Sequence, residues 1–266
     1  MTIDFHQAQN RYSYATRHAD PGWAQAMQQR LAPGADLAAY LADKCVADVG
    51  CGGGIYSLAW RELGAQAVEG VDFSAQMVQT AAERAAGDAQ LHFRQGEAGA
   101  TGLESASVDI VFERALIHHL KDYGPCCAEA LRVLKPGGVV ILQDRTPEDV
   151  ALPGAPTHLR GYFFECFPRL KQFEGGRRPP RAKVEEALRE AGFTQVASNT
   201  LEEVRKRYAG FAELEADLAA RTGRSILHEL SDDELRDLIA FIKGKLPAGP
   251  IVEQDRWTMW TGVKPR

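Results

Sequence analysis

Short apolar runs at Cys45–Val49, Ala67–Val71, Leu91–Gln95, Val108–Phe112 and Val139–Gln143 recur through the middle of the chain, each of strand length. Between them the apolar spacing changes. Ile55, Leu58, Ala59 and Leu63 fall on one face of a helix that Gly64 stops. Ser74 is placed to cap a helix over 74–86, and a third helix, over about 125–134, closes at Lys135-Pro136-Gly137-Gly138. Strands alternating with helices predict βαβ units, and therefore a parallel sheet with both faces covered. Outside this region, Asp20-Pro21-Gly22 is a turn or a helix start ahead of a helical pattern over 22–32, and a helix over 181–191 stopped by Gly192 leads into a strand over 193–199. Two helices are expected within 205–248. The second follows from the capping box Ser231-Asp232-Asp233-Glu234 and the stripe Leu235, Leu238, Ile239, Ile242. Trp257, Met259, Thr261 and Val263 alternate with polar or small residues as a last strand.

Residues 145–180 break the rhythm. Pro147, Pro153, Pro156, Pro168, Pro179 and Pro180 punctuate a stretch that also carries Tyr162, Phe163, Phe164, Phe167 and Phe173. Read as a loop, it is long enough to be functional, and its aromatics argue against disorder. The organisation that follows has four parts: an N-terminal lid segment (1–40), a core over 41–204 that includes the aromatic loop 145–180, a helical insertion over 205–255 covering the substrate, and a last core strand over 256–266. The expected fold is α/β, a Rossmann-like, mostly parallel seven-stranded sheet with helices on both faces, plus the helical insertion.

The length of 266 residues suits one core plus a sizeable addition. A net charge of −5 disfavours nucleic acid as the main partner. No apolar run reaches the roughly 18 residues of a membrane span, and Met1–His6 lacks the features of a secretory signal. The five cysteines form no CxxC pair, and no histidine follows at zinc spacing, so reduced thiols, no metal and a cytoplasmic location are expected.

The chemistry concentrates where the first strand runs into Gly50-Cys51-Gly52-Gly53-Gly54 and then a helix. Glycines there let a ligand approach backbone amides at a helix N-terminus. A dinucleotide turn would need glycine at position 55, which is Ile55, so a pyrophosphate is disfavoured. Asp48 lies at the end of the first strand and can face an ammonium group. Asp72 ends the next strand, 22 residues after Gly50, where a carboxylate can accept from ribose hydroxyls.

Asp48-Val49-Gly50-Cys51-Gly52-Gly53-Gly54 resembles motif I of class I S-adenosylmethionine-dependent methyltransferases. Val71-Asp72-Phe73-Ser74 with Met77 resembles the ribose-binding segment of that family, and Gln95-Gly96-Glu97-Ala98 stands where the family has Gly-Asp-Ala beside the adenine. Asp109–Phe112 followed by Leu116-Ile117-His118-His119-Leu120 is similar to its fourth strand and turn, and Leu131–Gly138 to the turn before its fifth strand. The matches run in order over about 44–144 and fit the small-molecule branch. The resemblance implies S-adenosyl-L-methionine as cofactor and a small-molecule methyl acceptor at oxygen, nitrogen or carbon. It places Asp48 at the methionyl amino group, Gly50, Cys51 and Gly52 along the methionyl chain, and Asp72 at the ribose. Phe73 and Met77 would pack on the adenine, with Gly96, Glu97 and Ala98 at its edge.

Other residues have two readings each. His118 and His119 are either a general base or a turn cap. Arg114 touches cofactor or substrate, or pairs elsewhere. Tyr14 and Arg17 fold over the cofactor, with Arg17 on its carboxylate, or belong to a solvated arm. Tyr162, Phe163 and Phe167 line an apolar substrate pocket or form a small core of their own. Two other functions stay open for the chain: S-adenosylmethionine chemistry other than methyl transfer, and a non-catalytic cofactor-binding subunit.

Overall fold

The computed structural model describes residues 19–221 and 224–266. Seven strands form one sheet: β1 (Cys45–Val49), β2 (Ala67–Asp72), β3 (Leu91–Gln95), β4 (Val108–Arg114), β5 (Leu134–Asp144), β6 (Thr194–Tyr208) and β7 (Ile251–Val263), in the order β3-β2-β1-β4-β5-β7-β6. The pairs β1–β2, β1–β4, β2–β3 and β4–β5 are parallel, and β7 returns antiparallel to β5 with Thr258 opposite Asp144. From β1 the chain lays β2 and β3 to one side and β4 and β5 to the other. The switch point therefore lies between β1 and β4, and ligands of such sheets bind beyond the carboxyl ends of strands at that place.

The helices in chain order are α1 (Pro21–Leu31), α2 (Leu37–Leu41), α3 (Ile55–Glu62), α4 (Ala75–Arg84), α5 (Gly124–Val133), α6 (Pro147–Val150), α7 (Leu159–Cys166), α8 (Arg169–Gly176), α9 (Arg181–Ala191), α10 (Phe211–Ala219) and α11 (Asp232–Lys245). The chain divides into two compact units, one of them built on residues up to Asp144, Pro179–Leu201 and Thr258–Arg266. In it, successive strand residues point into different cores: Val46 and Ile110 into one, Ala47 and Val111 into the other. That is why these strands read as unbroken apolar runs. Asp20 caps α1 through Gly22 N at 2.8 Å, and Ser74 caps α4 through Met77 N at 3.4 Å. The cap on α1 brings in Trp23, which packs edge-on against Tyr56, Trp60 and Phe112 at 5.0, 5.2 and 5.6 Å between centroids.

The other unit contains Arg145–Arg178 and Glu202–Trp257. Here the structure differs from the sequence reading in two ways. The stretch 145–180 is not a loop of the core. It folds into α6, α7 and α8, and groups with the 202–257 segment. Its prolines mislead because Pro147 and Pro168 stand at helix starts, where a missing N–H costs nothing. Second, β6 continues to Tyr208 and β7 begins at Ile251, well beyond the predicted strand ends. The charged residues that hide these extensions neutralise one another: Glu253 Oε2 accepts from Arg205 Nη1 at 3.0 Å, Arg224 Nη2 at 2.5 Å and Tyr208 Oη at 2.9 Å. The capping box of α11 forms as predicted, with Ser231 N donating to Glu234 at 2.9 Å and Glu234 N to Ser231 Oγ at 3.2 Å. Ser231→Ala is expected to lower stability by about 1 kcal/mol in chemical denaturation, the usual value of such a cap.

Candidate cofactor and catalytic site

β1 ends at Val49 and the chain turns through Gly50–Gly54 into α3. Gly50, Gly52 and Gly54 have φ of +73°, +52° and +79°, the left-handed region that side-chain-bearing residues rarely adopt. The turn is held from β2. Gly50 N and Cys51 N both donate to Val71 O, at 2.7 and 3.1 Å. Gly52 N donates to one oxygen of Asp72 and Ser74 N to the other, each at 2.9 Å. The Asp72 carboxylate therefore ties the glycine turn to the β2–α4 turn. Cys51 contributes its backbone only; its thiol is buried, which pushes its pKa well up and leaves it inert.

Asp48 is 2% exposed and accepts from Ser57 Oγ at 2.5 Å. Burial pushes its carboxyl up to about 7; the Ser57 hydrogen bond opposes this and the Asp72 charge adds to it. Between its ordinary value of 3.8 and about 7 the folded chain holds a proton that the unfolded chain has lost. Stability of the ligand-free protein from this group therefore falls as pH rises through that window and levels off above it. A cation docking on Asp48 would reverse the preference and expel the proton. At about pH 6.5, S-adenosylhomocysteine, whose amino group is already charged, is expected to bind with release of roughly one proton. Calorimetry in buffers of different ionisation enthalpy measures this, and Asp48→Asn should remove the release. An unchanged release in that variant would assign the proton elsewhere.

At the carboxyl ends of β2 and β3, Phe73 is 47% exposed while Met77 is buried. Gln95 Nε2 donates to Phe73 O at 2.9 Å, and Gly96 N donates to Asp72 O at 3.0 Å. A Cβ on Gly96 would lie 2.8 Å from Thr101 O, so the chain passes closely only with glycine there. Glu97 and Ala100 close a tight backbone bridge, which leaves the Glu97 side chain exposed and Ala98 partly packed beside the core. An exposed phenylalanine beside a fixed backbone turn suits a flat ring.

His118 stands in a 3-10 turn (Ile117–His119) after β4. Its Nδ1 lies 2.8 and 3.0 Å from the two oxygens of Asp144, and its backbone N donates to Asp144 at 3.2 Å. Asp144, at the end of β5, is fully buried. The sequence reading missed this partner; the signal was a carboxylate just beyond the predicted strand end. His119 is exposed, its ring 4.0 Å from that of His118. Ala115, with φ of +53°, makes the sharp exit from β4. Arg114 is half-buried with its guanidinium 4.4 Å from the Tyr56 ring, while its neighbour Glu113 accepts from Cys126 Sγ at 3.0 Å.

Some candidates lie elsewhere. Tyr162 and Phe163 are core residues of the 145–178/202–257 unit, 5% and 1% exposed, and Phe167 packs against them. Tyr14 and Arg17 lie outside the described residues. Among the described residues no group of side chains could hold a metal ion, and no helix is long and apolar enough to cross a membrane.

These turns fit S-adenosylmethionine on structural grounds: a turn with glycines in the left-handed region at 50, 52 and 54, a carboxylate pinned by amides at the second strand end, and a buried carboxyl at the end of the first. Residues 47–142 match the family described as a methyltransferase domain. Over these residues the chain is similar to the class I S-adenosylmethionine-dependent methyltransferases. It is 34% identical to malonyl acyl-carrier protein O-methyltransferase of Serratia marcescens over 35% of each chain. It is 26% identical to phosphoethanolamine N-methyltransferase 1 of Zea mays over 82% of this chain and 41% of that one. The chain thus spans about two fifths or less of the length of these curated relatives. Among solved structures, Haemonchus contortus phosphoethanolamine N-methyltransferase 2, in complex with phosphomonomethylethanolamine and S-adenosylhomocysteine, shares the fold. Its TM-score is 0.61 and its identity 22%, covering 100% of this chain and 61% of that one.

Proposed function

We propose that this chain transfers the methyl group of S-adenosylmethionine to a small-molecule acceptor, in the cytoplasm and without a nucleic-acid partner. The observation that carries the reading is the Asp72 carboxylate bridging the glycine turn and the β2–α4 turn, with the buried Asp48 beside it. When bound, the cofactor supplies an electrophilic methyl on a sulfonium, so the protein's task is alignment and exclusion of water more than activation. Asp48 binds the amino group, the backbone of Gly50–Gly52 accommodates the methionyl chain, and Asp72 accepts from the ribose. Phe73 and Met77 border the adenine, whose edge meets Gly96, Glu97 and Ala98.

His118 is assigned as the base that takes the acceptor's proton, with Asp144 as its positioning residue. With Nδ1 held by Asp144, proton transfer at this ring goes through Nε2, and the carboxylate stabilises the imidazolium that results. His119 serves as its ring neighbour, and Arg114 as a fixed charge near the cofactor. The lid roles of residues 1–40 and 205–255, and the contacts of Tyr14 and Arg17, rest on the sequence alone.

Isothermal titration with S-adenosylhomocysteine tests cofactor binding. Incubation of the chain with isotopically labelled cofactor and a cell extract, followed by mass spectrometry, tests the reaction. One labelled methylated product per S-adenosylhomocysteine released supports methyl transfer. Cofactor consumed without a methylated product would assign other chemistry to the same fold.

A further inference from the structure

Ser57 stands in α3 and is fully buried. A buried serine in a helix commonly bonds the carbonyl four residues back. Here that carbonyl, Gly53 O, accepts from Arg84 Nη1 at 3.0 Å. The Ser57 hydroxyl instead reaches across the glycine turn and donates to Asp48 Oδ2 at 2.5 Å, nine residues away in the chain. Gly54, at the N-cap of α3, has no side chain with which to cap the helix. The turn is therefore spanned by two buried side chains, one from β1 and one from α3.

The surroundings of Asp48 pull its ionisation both ways. Burial opposes the charge most strongly. Ser57 is the largest influence in its favour, through its hydroxyl and its backbone together. Asp72, at the end of β2, opposes the charge, and Arg114, at the end of β4, favours it. The Cys51 thiol in the turn is buried and neutral, and the strand neighbours of Asp48, Gly70 on β2 and Phe112 on β4, carry no charge. A hydroxyl gives more to a carboxylate than to a carboxylic acid, so the contribution of Ser57 is realised in full only once the proton has left.

We propose that Ser57 is a positioning residue for cofactor binding: its hydroxyl holds Asp48 by Oδ2, presents Oδ1 to the ligand's ammonium group, and offsets the loss of the Asp48 proton as that group docks. The proton passes to solvent and the ammonium group takes its place beside the carboxylate; no bond of the cofactor changes. The inference rests on the reading of Asp48 as the ammonium partner and adds the residue that acts through it. A serine that merely fastened α3 to β1 would matter equally at every pH. One that acts through the charge on Asp48 matters most where binding has to expel the proton.

The test is calorimetric titration of S-adenosylhomocysteine into the full chain at about pH 6 and about pH 8, on either side of the Asp48 midpoint. The chains compared are native, Ser57→Ala, Asp48→Asn and the double variant. Comparing chains at one pH cancels the ligand's own ionisation. At about pH 6, Ser57→Ala is expected to bind about tenfold more weakly than the native chain, the value of one hydrogen bond to a charged group. At about pH 8 the native carboxylate is ionised before the ligand arrives, so the loss should shrink to about two- or threefold, and the variant should release more protons on binding than the native chain. Adding Ser57→Ala to Asp48→Asn should cost nothing further, because the two residues act as one. Ser57→Cys, which keeps a weaker donor, should fall between native and alanine at about pH 6, and decides the question if the alanine variant does not fold. A loss of equal size at both pH values, no loss at either, or proton release matching the native chain would overturn the role of Ser57. Native affinity and native proton release in Asp48→Asn would overturn the ammonium reading of Asp48 itself and this inference with it, which keeps the two failures apart.

Discussion

Replacing His118 by alanine, or Asp144 by asparagine, is expected to slow methyl transfer by about 10²–10⁴-fold, the usual contribution of a positioned proton acceptor. The two variants act on different atoms. His118→Ala removes the ring. Asp144→Asn keeps the volume of a side chain that is fully buried, but exchanges an anionic acceptor for an amide that can donate to Nδ1. The ring's proton is then driven to Nε2, the nitrogen that has to accept. The loss should appear in kcat, with S-adenosylhomocysteine affinity within about threefold of the native value, because neither residue belongs to the cofactor turns. The pH–rate profile separates a base from a turn cap. The native chain should lose rate on the acid side as His118 protonates, and His118→Ala should lack that limb. Rates unchanged per folded molecule in both variants would reduce the pair to a structural contact between β4 and β5.

Asp72→Ala is expected to weaken S-adenosylhomocysteine binding by about 10–100-fold, or roughly 1.4–2.8 kcal/mol. Two effects combine. A charged acceptor for ribose hydroxyls disappears, and the amides of Gly52 and Ser74 lose the carboxylate that holds the two turns together. Asp72→Asn retains one acceptor oxygen and should fall between the native chain and alanine. Calorimetry measures both. Native affinity in Asp72→Ala would remove this residue from the cofactor site and with it the main support for how the ribose is bound.

How much of this was legible in the sequence follows from the range of each interaction. The βαβ rhythm, the caps Asp20, Ser74 and Ser231, and the glycine turn after β1 are local. Each is fixed by the period of apolar positions or by a side chain bonding an amide two or three residues away. The same locality exposed Asp48, Asp72 and His118 as candidates, since each stands at the end of an apolar run. What the chain could not announce was pairing across strands. His118 meets Asp144 because β4 and β5 run parallel with Arg114 opposite Gln143, a register decided by packing of whole strands. Asp48 finds Ser57 only once α3 has folded back over β1. The aromatic stretch after β5 looked irregular because proline suppresses a helical signal even where it begins the helix. The long ends of β6 and β7 looked solvent-exposed because their charges are buried in pairs. Local periodicity records where each side chain wants to be by itself; burial of a charge depends on its partner, and only the tertiary structure supplies that partner.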